Sequence, residues 1–287
     1  MLCGSEGTLG VITSITVKLH PLPPHLVAAV CVFETLQDAA HTVAVLKYHD
    51  IPVVRCELLD ATSVAAFNKA NACDTKTASV AAMEEKPTLF LEFQASSELA
   101  LQEQIQHTEA ICVSQQGSSF RFTSNEEERK ALWSARHSLY YSAIRYRDDG
   151  GACTTAIVTD VCVPLSKLAQ LMEATVSDIQ HHQIVGFCFG HAGDGNFHCI
   201  IPLKVKKEGA IVGGGETDDY LSKVTVLQEK IIQRALAVGG TCSGEHGVGY
   251  GKMKYLPRQY GEGTMTLMKL IKTAVDPNNI MNPGKVC

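Results

Sequence analysis

Apolar and polar positions along this chain follow two periods in turn. Residues 26–33 form a continuous apolar run. Residues 10–19, 53–59, 88–94 and 119–123 carry β-branched or aromatic side chains with approximate alternation, and each of these five segments predicts a strand. Helices are expected between them, over residues 35–48, 61–72, 97–116 and 125–145. In the first of these Leu36, Ala39, Ala40, Val43 and Leu46 share one face. Asp148-Asp149-Gly150-Gly151 breaks the last helix, and a strand is expected over 156–163. A helix over 166–183 follows, with Ser166 as its N-cap and Leu168, Leu171, Met172 and Val176 facing inward. Apolar segments at 184–189 and 197–203 predict two more strands. A helix over 218–238 is closed by Gly239-Gly240, and a final helix runs over 264–274. Residues 71–86 and 204–217 read as loops, and His20-Pro21-Leu22-Pro23-Pro24-His25 as a crossing between domains. Hairpin-like pairs with short connections predict an α+β fold, with helices over one face of a largely antiparallel sheet.

Between the strands at 184–189 and 197–203 lies Gly190-His191-Ala192-Gly193-Asp194-Gly195-Asn196-Phe197-His198, a run suited to a tight turn with positive φ. A glycine-rich hairpin here brings His191 and His198 to one mouth. Asn196 and His198, two apart on a strand, point the same way. A second glycine-rich run, Gly244-Glu245-His246-Gly247-Val248-Gly249, adds a carboxylate and a third imidazole. Two histidines and a glutamate make a metal-ligand set that leaves coordination positions open, and Zn and Mn both tolerate it. Each histidine taken singly also reads as a structural or surface residue. Asn196 reads equally as a turn residue, and Asp194 as a brace for the turn or for a ligand imidazole.

Composition narrows the partners. The chain has 287 residues, 45% of them hydrophobic, enough for one large or two ordinary domains. A net charge of -5 and scattered basic residues give no electrostatic case for nucleic acid or a membrane surface. No apolar run reaches the ~20 residues of a membrane span. The 11 cysteines are odd in number, irregularly spaced and without a C-x-x-C motif. Buried free thiols in a reducing compartment are therefore expected. No signal or transit pattern is visible. Met1-Leu2-Cys3 leads straight into Gly4-Ser5-Glu6-Gly7-Thr8-Leu9-Gly10, an opening expected where the N-terminal portion of a longer protein is absent.

Four segments in order resemble the FAD-linked 2-hydroxy acid dehydrogenases, flavoproteins of the vanillyl-alcohol-oxidase type. They are Gly4 to Gly10, the histidine hairpin, Gly244-Glu245-His246-Gly247, and Asn282-Pro283-Gly284-Lys285. Leu132-Trp133-Ser134-Ala135-Arg136-His137 and Thr159-Asp160-Val161-Cys162-Val163-Pro164 sharpen the likeness. The resemblance implies that residues 1–22 end an FAD-binding domain, 23–240 form a substrate or cap domain, and 241–287 return to the flavin. It implies FAD contacts at Gly4, Ser5, Glu6, Gly7, Thr8, Gly10 and Asn282. From residues alone the first of these segments reads as a turn, since G-x-x-G-x-x-G is not a nucleotide fingerprint.

The resemblance further implies that His191, His198 and Glu245 hold a divalent metal, Zn or Mn. His246 is then the general base for the substrate hydroxyl, which suits an imidazole with a pKa of ~6.5. Arg136 would pair with the substrate carboxylate and Asn196 would contact the bound acid. Related hydroxyglutarate enzymes carry a lysine at the place of Val158. An apolar residue there implies a short or aliphatic substrate side chain, as in D-lactate. Electrons would pass to cytochrome c or a similar carrier, in mitochondria. Two other classes remain compatible with the residues: a metal-dependent hydrolase without flavin, and a non-catalytic fragment. The resemblance also leads us to expect that the 287-residue chain by itself is colourless and inactive as a dehydrogenase.

Overall fold

The computed structural model describes residues 1–72, 82–146, 154–205, 211–212 and 218–286. The strands are β1 (His25–Phe33), β2 (Val53–Leu59), β3 (Thr88–Ala95), β4 (Gly117–Thr123), β5 (Thr154–Val158), β6 (Val161–Cys162), β7 (Phe187–His191), β8 (Asn196–Val205) and β9 (Ile211–Val212). The helices are α1 (Leu36–Tyr48), α2 (Ala61–Asn71), α3 (Glu98–Ser114), α4 (Glu126–Arg145), α5 (Leu165–His181), α6 (Asp218–Ala237), α7 (Leu256–Tyr260) and α8 (Glu262–Val275). The main sheet runs β4-β1-β3-β2-β7-β8-β5, with β6 and β9 also pairing with β8. Every described pairing is antiparallel. This is the α+β architecture expected from the sequence.

Alternation along the strands divides the core between the two faces. Val27, Ala29, Cys31 and Phe33 of β1, with Leu89, Leu91 and Phe93 of β3, pack against α1, α3, α5 and α6. Val30, Phe90, Leu59, Phe187, Phe189 and Ile200 point the other way, onto Val64 and Phe67 of α2 and Trp133 and Leu139 of α4. Helices thus cover both faces rather than one. The second face matters for chemistry, because its rows continue to Glu57, His191 and His198.

Local capping accounts for the helix starts. Thr35, Asp60, Ser97 and Asn125 each accept a backbone N–H of the first turn, from Asp38, Ser63, Ala100 and Glu128 respectively. Glu126, Glu127 and Glu128 place negative charge at the positive end of α4. Helix α5 departs from expectation. Pro164 holds its N-cap position without a side-chain bond, and Ser166 lies within the first turn.

Two other expectations are corrected. Residues 10–19 pair with no strand among the described residues. Val11, Ile12, Ile15, Val17 and Leu19 are exposed, so β propensity there meets no partner to fix it. The strand expected over 156–163 is split into β5 and β6. At the break Thr159 N–H bonds Cys199 O at 3.0 Å, while Thr159 Oγ1 accepts Cys199 N–H at 2.9 Å, a side chain replacing the ladder. Residues 253–260, unassigned by periodicity, form a 3-10 turn and α7. The break expected at 148–151, and much of the loops expected at 71–86 and 204–217, lie outside the described residues. No described helix is long and apolar enough to cross a membrane.

Candidate active site

Strands β7 and β8 form the expected hairpin, closed by a 3-10 turn at Ala192–Asp194 and by Gly195 in the left-handed region at φ 75. A Cβ on Gly195 would lie 2.0 Å from Val163 O, so both conformation and space require glycine. Cross-strand register sets Phe189 opposite His198 and Glu57 opposite His191. Both imidazoles therefore stand on the α4 side of the sheet. Helix α4 delivers Arg136 to the same face, with its guanidinium 4.8 Å from the Phe189 ring centroid.

The Gly244–Gly249 run meets this hairpin. Glu245 Oε1 lies 3.2 Å from His191 Nε2 and 3.2 Å from His198 Nε2. His246 Nε2 is 3.5 Å from the same oxygen, and its ring is 5.1 Å from that of His198. The side chains of Glu245 and His246, neighbours on an irregular loop, thus face one cluster. His198 is 5% exposed, whereas the Glu245 and His246 side chains are half open to solvent.

Glu57 backs the cluster. Its Oε1 is 2.7 Å from His191 Nδ1 and its Oε2 accepts Arg136 NH2 at 2.7 Å. Burial pushes the Glu57 carboxyl up, but the His191 bond and the Arg136 charge outweigh it and hold its pKa below the usual carboxylate range. The same bond raises the pKa of His191 against burial. An ionised Glu57 only accepts, so Nδ1 carries the proton and Nε2 is turned toward Glu245. His198 is shifted the other way: burial lowers its pKa, with Asp160 and Glu245 opposing, and keeps it a neutral lone-pair donor. Sequence reading missed Glu57, because its bond to His191 spans 134 positions and leaves no local pattern.

Asp160, 1% exposed, is a second buried carboxylate beside the cluster. It accepts Gly244 N–H at 2.9 Å, Glu245 N–H at 3.1 Å and His246 N–H at 2.9 Å. Asn196 Nδ2 and Ser243 Oγ donate to it at 2.9 Å each, and Lys252 Nζ at 3.3 Å. Burial opposes its ionisation, but these donors prevail and hold its pKa far below the usual range. Asn196 also donates to Val161 O at 3.0 Å, leaving its buried Oδ1 without a partner.

The segments expected to meet a flavin sit together at the other side of the Gly244–Gly249 run. The Glu6 carboxylate accepts Val248 N–H, and Gly249 N–H at 3.0 Å, while Asn282 Nδ2 donates to Glu6 O at 2.5 Å. Thr8 is buried: its hydroxyl donates to Ser5 O at 2.7 Å, and its carbonyl accepts Lys272 Nζ at 2.8 Å. Lys272 also pairs with Asp276 and donates to Met281 O at 2.6 Å, joining the first loop to the last. Glu6, Thr8 and Asn282 thus spend side-chain groups on the loop architecture. Gly4, with φ 79, and Gly10 have open space where a Cβ would stand, so backbone approach by a planar ring system is free at these positions.

Among the described residues two groups offer three ligand atoms within 4.8 Å of one another: His191, His198 and Glu245, and Asp160, His198 and His246. The first fits a divalent cation. Its two Nε2 atoms converge on one carboxylate oxygen, and His191 is fixed from behind by Glu57, the usual anchoring of a metal-binding imidazole. The second does not fit, since both Asp160 oxygens are taken by donors and Lys252 occupies its flank.

Relatives place this geometry in context. The chain is 40% identical to "Probable D-lactate dehydrogenase, mitochondrial" of Danio rerio and 39% identical to "D-lactate dehydrogenase [cytochrome], mitochondrial" of Arabidopsis thaliana, each over 286 residues. Both alignments cover 100% of this chain, and 53% and 46% of those proteins, so the chain spans about half the length of the relatives it matches. Its fold is similar to that of alkyldihydroxyacetonephosphate synthase (TM-score 0.61, 15% identity, 98% of this chain and 48% of that one). It is also similar to 4-ethylphenol oxidase from Gulosibacter chungangensis (TM-score 0.62, 18% identity, 94% of this chain and 55% of that one). Over residues 22–286 the sequence matches the family described as "FAD linked oxidases, C-terminal domain", and to that family the chain belongs.

Proposed function

We propose that this chain carries the substrate- and metal-binding part of an FAD- and metal-dependent D-2-hydroxy acid dehydrogenase, with D-lactate oxidised to pyruvate. The observation that carries this reading is the convergence of His191 and His198 on Glu245 Oε1 in a member of this family. The relatives' names support the acid and a mitochondrial location, and one of them a cytochrome as electron acceptor, which we take to be cytochrome c or a similar carrier. Residues 1–22 and 241–287 are assigned to the flavin side and 23–240 to the substrate side.

Bound FAD supplies an acceptor for the hydrogen leaving the substrate carbon. This chain's residues prepare that transfer. His191, His198 and Glu245 hold the divalent cation, Zn or Mn. Arg136 is already fixed on one side by Glu57 and has its Nε without a partner; it faces the substrate carboxylate. Asn196, whose Oδ1 has no partner, contacts the bound acid. His246, half open to solvent and beside the cation cluster, takes the hydroxyl proton and passes it to water. Val158, packed with Phe189 and Ile200 in the apolar cluster on the α4 side of the sheet, offers no charge to a second carboxylate and favours a short substrate side chain.

Calorimetric titration tests the reading. The chain is expected to take up one Mn or Zn ion, and D-lactate to bind only after the ion. Absence of ion uptake, or D-lactate affinity indifferent to the ion, overturns it. A metal-dependent hydrolase is the competing outcome, and hydrolysis of an ester substrate by the flavin-free, metal-loaded chain would favour it.

A further inference from the structure

Three residues of the proposed site depend on one carboxylate that the reaction itself does not use. Asp160 stands where the chain leaves the sheet between β5 and β6, on the two-residue interruption at Thr159. Its carboxylate is wrapped by three consecutive backbone amides, those of Gly244, Glu245 and His246, a concave anion nest made by the loop that presents Glu245 and His246. Gly244 permits the approach. A Cβ there would lie 2.0 Å from Asn196 Nδ2 and 2.8 Å from Asp160 Oδ1. The Asn196 amide is oriented by the same carboxylate, because Nδ2 must face Asp160 Oδ1, and this turns Oδ1 the other way. His198 Nδ1, buried and without a hydrogen bond, is 3.7 Å from Asp160 Oδ1.

We infer that Asp160 is the positioning residue of the site. It folds the Glu245–His246 loop onto the histidine hairpin and fixes the Asn196 amide in the same arrangement. The inference rests on the metal reading above for what is positioned, but not for how. Lys252 and Ser243 complete the shell, so Asp160 stays an internal counter-charge and does not ligate the cation. Nothing else among the described residues bonds the N–H groups of Glu245 and His246. Without the carboxylate, the loop loses the anion around which it is curled.

Asp160→Asn keeps the size of the side chain but leaves one acceptor oxygen where donors approach from both sides, so its NH2 must face either the 244–246 amides or Asn196 Nδ2. The expected result is a folded chain whose Mn affinity falls ten- to a hundredfold, the range for losing a group that orients metal ligands. Amide hydrogen exchange at residues 244–246 is expected to be slow in the wild type, although these residues form no helix or strand, and fast in Asp160→Asn. Exchange at β7 is expected to stay slow, which separates loss of positioning from global unfolding. Mn affinity within twofold of wild type in a folded Asp160→Asn overturns the inference. So does rapid wild-type exchange at 244–246, which decides the matter even where the variant yields no folded protein. A wild-type chain that binds no Mn or Zn, with residues 244–246 still protected through Asp160, brings down the metal reading and leaves the positioning of the loop standing.

Discussion

Glu6 accepts the backbone N–H of Gly249 at 3.0 Å, across nearly the whole length of the chain. This bond and its companion from Val248 attach the first loop to the run carrying Glu245 and His246, and they occupy a carboxylate expected to face the flavin. A Glu6→Ala change removes a charged acceptor from two backbone donors. It is expected to cost about 1–3 kcal/mol, a fall in Tm of several degrees for a chain of this size. Thermal unfolding followed by circular dichroism measures it, with faster amide exchange at 248–249 as the local sign. An unchanged Tm together with unchanged exchange would show that the two segments are held by other contacts.

The cavity beside the first loop, lined by Cys3, Gly4, Ser5, Thr8 and Met268 among others, holds about 160 Å³. Sites that enclose drug-sized ligands run to roughly 300–1,000 Å³, and a dinucleotide needs more wall than this. The 287-residue chain mixed with FAD is therefore expected to elute from gel filtration without flavin absorbance. A yellow protein peak would falsify this expectation and give the loop glycines a larger share of the cofactor site.

Glu57 and Arg136 form a buried pair, each side chain 9% exposed. Glu57→Gln leaves the guanidinium without its counter-charge and is expected to lower the unfolding free energy by about 3–5 kcal/mol. Replacing both partners, as Glu57→Leu with Arg136→Met, should recover much of that loss, because no unpaired charge remains. Urea unfolding of the three proteins tests this, and a double variant no better than the single one would count against it. Mn content should fall in both variants, since His191 loses the charged acceptor at its Nδ1 in each.

The hairpin, its histidines and the Glu245–His246 run were legible because their signals are local: glycines at a turn, alternation beside it, and residue types whose chemistry is narrow. Helices α1 and α6 were legible for the same reason, α1 through its one-sided apolar face and α6 through the Gly239-Gly240 that closes it. What escaped depends on partners distant in sequence. Glu57 reads as one polar residue in a strand, and only pairing of β2 with β7 reveals that it faces His191. Asp160 sat inside an expected strand, and the strand breaks at that point so that the carboxylate can receive the 244–246 amides. Residues 10–19 show the converse: a strand pattern is present, but a strand exists only where another backbone lies alongside.

Acid pH gives a further test, on the far side of β7. Asp60 caps α2 by accepting Ser63 N–H at 2.7 Å and also accepts Cys188 N–H at 3.1 Å. Burial dominates these bonds and pushes its pKa from 3.8 up to about 6. The native carboxyl therefore keeps its proton up to about pH 6, while the unfolded one releases it near pH 3.8. Between those values the folded state binds more protons, so this group's contribution to stability falls as pH rises, by about 2–3 kcal/mol in all. Asp60→Asn removes the titration while keeping a cap-forming side chain. Relative to wild type, the variant is expected to gain that amount between pH 4 and pH 7 in urea unfolding. A difference between the two proteins that does not move with pH would mean that Asp60 is ionised throughout this range, held so by the two amides that burial was argued to overcome.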